Sequence, residues 1–230
     1  IIWMIQSKKY DGAGKMVSML AKFFRISLSQ GKDIITLQKE LEHAVSYLSI
    51  QNVRFQDKCT FTVDWDEKLA DCLCPKLVIQ PLLENAVYHG MEGMYEDGEI
   101  QLKIYAANEL VHIDVIDNGE GMTEAQVQKM MQGDVVSSKR GSGSGVKNVN
   151  DRIKLYFGEA YGVQIISAPD EGTTARIYFP MRSQEDETEK SDALGLCRRD
   201  PAGTAVAAVA LLLLFVGYKL NAALGIFLEG

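Results

Sequence analysis

Apolar and polar residues alternate one by one in three stretches of this chain: Phe61-Thr62-Val63-Asp64-Trp65, the run holding Ile100, Leu102 and Ile104, and the run holding Val111, Ile113 and Val115. A period of two places all the apolar side chains of a strand on one face. Each strand therefore has one face to bury and one to leave in water. Two further strands are predicted at 163–167 and 174–180, with Gly172 marking the turn between them. Helical spacing fills the gaps: 75–89, with Pro75 near its start; 123–132; and 146–157, where Val146, Val149 and Ile153 are apolar. Strands and helices mix without regular βαβ alternation, which predicts an α+β fold, a two-layer sandwich with helices on one face of a mostly antiparallel sheet.

Residues 1–58 read as helices. Met16, Met19, Leu20, Phe23, Phe24 and Ile26 crowd one side of a helical wheel, and Gln30-Gly31-Lys32-Asp33 breaks the pattern. Thr36 is a candidate N-cap for the next helix. In that helix Leu37, Leu41, Val45, Leu48 and Phe55 recur at spacings of four, four, three and seven. Two amphipathic helices with a short connection predict an antiparallel hairpin whose stripes need a partner. The expected organisation is this hairpin, a sandwich over 59–182, a charged linker over 183–200 and an apolar segment over 201–228.

Three short motifs carry chemistry. In Gln80-Pro81-Leu82-Leu83-Glu84-Asn85-Ala86-Val87-Tyr88-His89-Gly90, Asn85 lies on one helix face with His89 a turn further on. Its neutral side-chain carbonyl is a hard oxygen ligand suited to Mg2+ beside a triphosphate. In Asp117-Asn118-Gly119-Glu120-Gly121-Met122, an Asp at a strand end can accept a hydrogen bond from the exocyclic amine of adenine, and Gly119 and Gly121 let the backbone approach a flat base. In Gly141-Ser142-Gly143-Ser144-Gly145-Val146-Lys147-Asn148-Val149, a glycine loop runs into a helix, turning several N–H groups and a helix N-terminus toward one anion. Alone, each has a plainer reading: a surface Asn, a tight Asp/Asn/Gly turn, a flexible linker. The loop also does not follow a strand, as a dinucleotide fingerprint would require. In the order metal amide, adenine carboxylate, phosphate loop, with Gly172-Thr173 before the last strand, the three reinforce one another. A net charge of −7 argues against a nucleic-acid surface, yet leaves room for a local N–H-rich pocket. Cys72-x-Cys74 has no second pair at zinc spacing, so Cys59, Cys72, Cys74 and Cys197 read as free thiols.

These residues resemble the GHKL ATPase superfamily shared by DNA gyrase, a heat-shock chaperone, histidine kinases and a mismatch-repair protein. Ile50-Gln51-x-x-Arg54-Phe55, Pro75-x-Leu77-x-Ile79-Gln80-Pro81-Leu82-x-Glu84-Asn85-Ala86-x-x-His89-Gly90 and Gly143-x-Gly145-Val146-x-Asn148-Val149-x-x-Arg152 look like sensor histidine kinases of the LytS-like type, over about residues 1–182. The resemblance implies a Bergerat-type ATP-binding sandwich, ATP and Mg2+ as bound species, and a protein-histidine kinase at the cytoplasmic face of a bacterial membrane. It implies phosphoryl transfer to a histidine and then to an aspartate of a response regulator, with 1–58 pairing with a second copy as a four-helix bundle. It implies that Asn85 binds Mg2+, that Asp117 reads adenine and that Gly119, Gly121, Gly143 and Gly145 shape the pocket. Glu84, His89, Met122, Ser144, Val146, Asn148 and Thr173 join the ATP-binding set, Thr173 supporting Asp117 through its hydroxyl or serving only as a strand start. Asn148 and Arg152 match family positions, with helix capping and packing as the alternative.

Two departures from the family pattern matter. Water-activating ATPases of the superfamily carry a Glu four residues before the metal Asn, where this chain has Pro81; Glu84 points about 100° away around the helix. That favours transfer to a protein side chain over hydrolysis. The family's acceptor histidine, in an N-P-H-F-type context, matches none of His43, His89 and His112; it is expected upstream of Ile1, and His43 reads as a surface residue. An anti-sigma-type serine kinase, a water-hydrolysing ATPase and an inactive nucleotide-binding scaffold are the competing readings. Beyond Arg198-Arg199, the apolar run is short for a membrane helix and also resembles a signal-peptide core, so membrane attachment is expected through it or through upstream sequence.

Overall fold

Asn108 and Glu109 both take positive φ, 52° and 63°, the two-residue turn whose twist matches that of antiparallel strands. It joins β4 (Gly98–Ala107) to β5 (Leu110–Asp117), with Ile104 opposite Ile113 and Leu102 opposite Val115. β7 (Thr173–Pro180) pairs antiparallel with β5, and β6 (Gly162–Ser167) with β7. β2 (Cys59–Trp65) runs parallel to β4 and completes a sheet of order β2-β4-β5-β7-β6. A parallel neighbour requires a crossover, and this one carries β3 (Leu73–Pro75) and α4 (Ile79–Asn85). The computed structural model describes residues 1–27, 33–55, 59–90, 98–133 and 144–183. Most of the loop 133–145, the linker 183–200 beyond its first residue and the segment 201–228 lie outside the described residues.

In β4, β5 and β7 the alternation performs as its period requires, whereas in β2, at the edge of the sheet, Val63 is 40% exposed and Phe61 and Trp65 are only half-buried. Ile100, Leu102, Ile104, Val111, Ile113, Val115, Ile177 and Phe179 are each at most 1% exposed, and they pack with Ile79, Leu82 and Leu83 of α4 and with Val146, Val149 and Ile153 of α6 (Ser144–Phe157) in one cluster. Burying each such aliphatic side chain contributes about 2 kcal/mol. The sheet's other face is polar. There Arg176 holds the buried Asp114 in two parallel bonds of 2.8 and 2.7 Å, Tyr105 Oη lies 3.2 Å from the same carboxylate, and the Tyr105 ring stacks on His112. α5 (Glu124–Gln132) starts on a capping box between Thr123 and Gln126 and stops at Gly133, whose φ of 80° suits glycine.

The N-terminal region is helical as expected, with α1 (Ile2–Gln6), α2 (Tyr10–Ser27) and α3 (Leu37–Phe55); α2 packs on α3. A short strand β1 (Ile34–Thr36) ends where the cap was expected and pairs with β3, Ile34 opposite Pro75. α3 finds its partner within its own chain: Leu37, Leu41, Ala44, Tyr47 and Leu48 belong to the same cluster as the sheet. Its stripe is rotated from the one the sequence suggested. Val45 is 40% exposed, while His43 is fully buried and stacks on Phe23 at 4.4 Å. His43 is thus no surface residue, and burial lowers its pKa to about 4. The helix expected over 75–89 is also broken up. Pro75 ends β3, Leu77 takes a φ of 59° that no helix tolerates, α4 spans only Ile79–Asn85, and a π-helical turn follows over Ala86–Gly90. Among the described residues no helix is long and apolar enough to cross a membrane.

Candidate functional site

α4, the end of β5, the starts of β7 and α6, and one side of β6 meet around a cleft lined by Leu82, Asn85, Ala86, Val115, Asp117, Gly121, Met122, Met130, Val146, Ile165, Thr173 and Ala175. The mixture, apolar walls with a few polar atoms, is that of a small-molecule site. Residues far apart in the sequence converge here: Asn85, Asp117, Gly121, Met122, Val146 and Thr173 all face it.

Asn85 is the last residue of α4, and its Nδ2 is buried without a hydrogen-bond partner. A buried amide left unpaired costs about 1–3 kcal/mol, and such a cost is met where a ligand completes the set. Which amide atom is nitrogen and which oxygen is fixed only by partners, so the same side chain can offer its oxygen to a cation.

Asp117 closes β5 and is 9% exposed. Burial raises its pKa from 3.8 to about 6, while backbone N–H bonds from Gly119 and Thr173 pull it back. The Gly119 bond is 3.0 Å. Thr173 therefore supports Asp117 through its backbone amide. Its hydroxyl instead lies 2.9 Å from Ser167 Oγ.

Ser167 was not singled out by sequence, yet it joins the cleft's loops. Its Oγ accepts from Met122 N at 2.8 Å and donates to the Gly172 carbonyl at 2.9 Å; with that proton committed, Thr173 is the donor of the hydroxyl pair. Only its place at the end of a strand next to a glycine turn marked it in the sequence. The backbones of these loops touch. A Cβ on Gly121, at φ 68°, would sit 1.9 Å from the Ala168 carbonyl oxygen, and one on Gly172, at φ 77°, 2.1 Å from that of Asp117. Asn118 ties the same loop to β4, its Oδ1 accepting from Glu99 N at 2.8 Å.

The remaining expected site residues distribute unevenly. Gly145 does not line the cleft; it lies in the first turn of α6, with its Cβ position at ordinary contact distance, 3.5 Å, from Pro81. Asn148 is exposed on α6, and Glu84 accepts from Gln80 Nε2 at 2.8 Å rather than lining the cleft. Gly143 and the side chains of His89 and Ser144 lie outside the described residues. Arg152 is committed to packing: its Nη1 donates to the Lys76 carbonyl at 2.7 Å.

A buried carboxylate, an unpaired amide and the start of a helix around one cleft, under a helix-covered mixed sheet, define a nucleotide-binding class of fold. Comparison with known proteins gives the class its family. Residues 71–183 match the model for histidine kinase-, DNA gyrase B- and HSP90-like ATPases, and residues 1–59 match that for histidine kinases. The chain belongs to the sensor histidine kinase family, and an ATPase domain of this kind implies ATP binding. It is 36% identical over 184 residues to the sensor histidine kinase YesM of Bacillus subtilis, covering 80% of this chain and 30% of that protein. It is 32% identical over 178 residues to the sensor protein LytS of Bacillus anthracis, covering 77% and 30%. The chain thus spans about 30% of the length of these relatives. The solved catalytic domain of the histidine kinase ThkA shares the fold, with a TM-score of 0.51 at 16% identity over 64% of this chain and 96% of that one.

Proposed function

We propose that the cleft binds Mg-ATP and presents its γ-phosphoryl group to a histidine, from which it passes to an aspartate of a response regulator. The observation that carries this reading is the unpaired, buried Asn85 Nδ2 in the same cleft as the buried Asp117 carboxylate. Asp117 accepts from the adenine amine, a bond that water no longer competes for once the base is seated. Gly121 and Met122 bring backbone and an apolar side chain against the base. Asn85 offers its amide oxygen to Mg2+, and the start of α6 offers its N–H groups to the phosphates. When bound, Mg2+ neutralises charge on the transferring phosphoryl group.

The same frame disfavours water as acceptor. Pro81 has no base to offer, and Glu84 is engaged with Gln80. A neutral imidazole needs no base to attack phosphorus. Pairing with a second copy through the hairpin is supported by the apolar residues that the fold leaves in water: Ile2 at 74% exposure, Val17 at 52%, Ile5 at 49% and Phe24 at 39%. Attachment to the cytoplasmic face of a membrane belongs to the same reading, as the family resemblance implies.

Incubation of the chain with γ-labelled ATP, with and without a supplied hairpin bearing an acceptor histidine, tests the proposal. Acid-labile label on the hairpin is the expected result. Release of free phosphate at a comparable rate would indicate an ATPase instead, and absence of nucleotide binding would leave an inactive scaffold.

A further inference from the structure

The turn between β3 and α4 is not held by its own sequence. Leu77 stands at φ 59°, a conformation that side-chain-bearing residues seldom adopt and keep only where the surroundings enforce it. Val78, at the N-cap of α4, makes no side-chain capping bond, and a helix this short has little stability of its own.

What holds the turn comes from two other helices. Glu40 of α3, 1% exposed, sends its carboxylate to the three consecutive amides that open α4. Oε2 accepts from Leu77 N at 2.8 Å, and Oε1 accepts from Val78 N at 2.8 Å and Ile79 N at 2.9 Å. From the opposite side, Arg152 of α6 holds the Lys76 carbonyl; burial raises the pKa of Glu40, and the three amide bonds and then the charge of Arg152 work against that rise. Charge-assisted bonds of this kind are about twice as strong as neutral ones. A carboxylate at a helix start also meets the favourable end of the dipole.

α4 carries Asn85 at its far end, less than two turns from this clamp. We propose that Glu40 is a positioning residue for the nucleotide site: it fastens the hairpin helix α3 to the start of α4 and so sets where Asn85 stands in the cleft. This rests on the reading of the cleft as a Mg-ATP site. It makes α3 part of the frame of that site. A displacement of the hairpin is then felt at Asn85, and by linkage nucleotide binding is felt along α3.

Calorimetric titration of the whole chain and of its Glu40→Gln variant with ATP, in Mg2+ and in EDTA, tests this. Gln keeps the shape and one acceptor oxygen but turns an NH2 group toward backbone donors. The expected result is affinity about tenfold weaker in Mg2+ and nearly unchanged in EDTA. In an Asn85→Ala background the same substitution is expected to add less than about twofold, because the two residues act through one another. Loss of thermal stability with Mg-ATP affinity retained overturns the proposal, and so does full additivity with Asn85→Ala. Should Glu40→Gln fail to fold, amide exchange in the unsubstituted chain decides. Slower exchange at Leu77, Val78 and Ile79 together with α3 on adding Mg-ATP supports the coupling; protection confined to the cleft lining overturns it. Failure of the unsubstituted chain to bind nucleotide removes the functional reading and this inference with it, and is recognisable because no substitution is involved.

Discussion

Replacing Asp117 by Asn is expected to stabilise the ligand-free chain while abolishing its affinity for ATP. Burial raises the Asp117 pKa from 3.8 to about 6, so between those values the folded chain holds a proton that the unfolded chain has released. Stability contributed by this group therefore falls as pH rises through that window, and the whole cost, about 3 kcal/mol, is in place above it. Asn keeps an oxygen for the Gly119 and Thr173 amides but buries an NH2 group, which gives back about 1 kcal/mol. The net gain at pH 7.5 is about 2 kcal/mol, or roughly 4–8 °C in Tm for a chain of this size. At pH 4, where Asp117 is already protonated in the folded state, the gain should nearly vanish. Thermal melts of both chains from pH 4 to pH 8, each paired with a nucleotide titration, make the measurement. A variant less stable at pH 7.5, or a stability difference that does not change with pH, would refute the reasoning; retained ATP affinity would refute the role given to the carboxylate.

The other predictions concern neighbours of this site. His43, with its pKa lowered to about 4 by burial, contributes stability that is fully present above about 6.5 and is lost as pH falls toward 4; His43→Phe should flatten that acid limb in pH-dependent melts while keeping a ring on Phe23. Ser167→Ala leaves the Met122 amide without its acceptor and should cost about 1–3 kcal/mol in urea denaturation, with weaker ATP binding. Gly172→Ala forces a Cβ against the Asp117 carbonyl at a φ of 77°, and should cost about 3 kcal/mol and eliminate nucleotide binding by calorimetry.

Much of the sandwich could be read from the sequence because its strands are half-buried and show it. Residues such as Ile100, Leu102 and Ile104 need alternation to reach one face, and no competing pattern obscures them. The cleft was legible through residue types whose chemistry is unusual at a helix or strand end, Asn85 and Asp117 above all. What escaped detection was set by tertiary partners. The stripe of α3 rotates because the helix is covered from two sides, by the sandwich core and by α2, whose Phe23 takes the ring of His43 while Val45 is left exposed. Leu77 gives no sign that it will break a helix, since its positive φ is imposed by Glu40 and Arg152 from elsewhere in the chain. Ser167 and the backbone amide of Thr173 matter through hydrogen bonds that residue type alone does not announce.

The tight turn at Asn108 and Glu109 bears on the order in which the molecule assembles. β4 and β5 meet after closing a loop of two residues, whereas β2 reaches β4 only once the chain has travelled through β3 and α4. Closing the longer loop surrenders more chain entropy before any contact repays it. The central hairpin is therefore the natural seed of the sheet. The parallel edge strand is a latecomer, and the helix that carries Asn85 is delivered to its place by the same closing step.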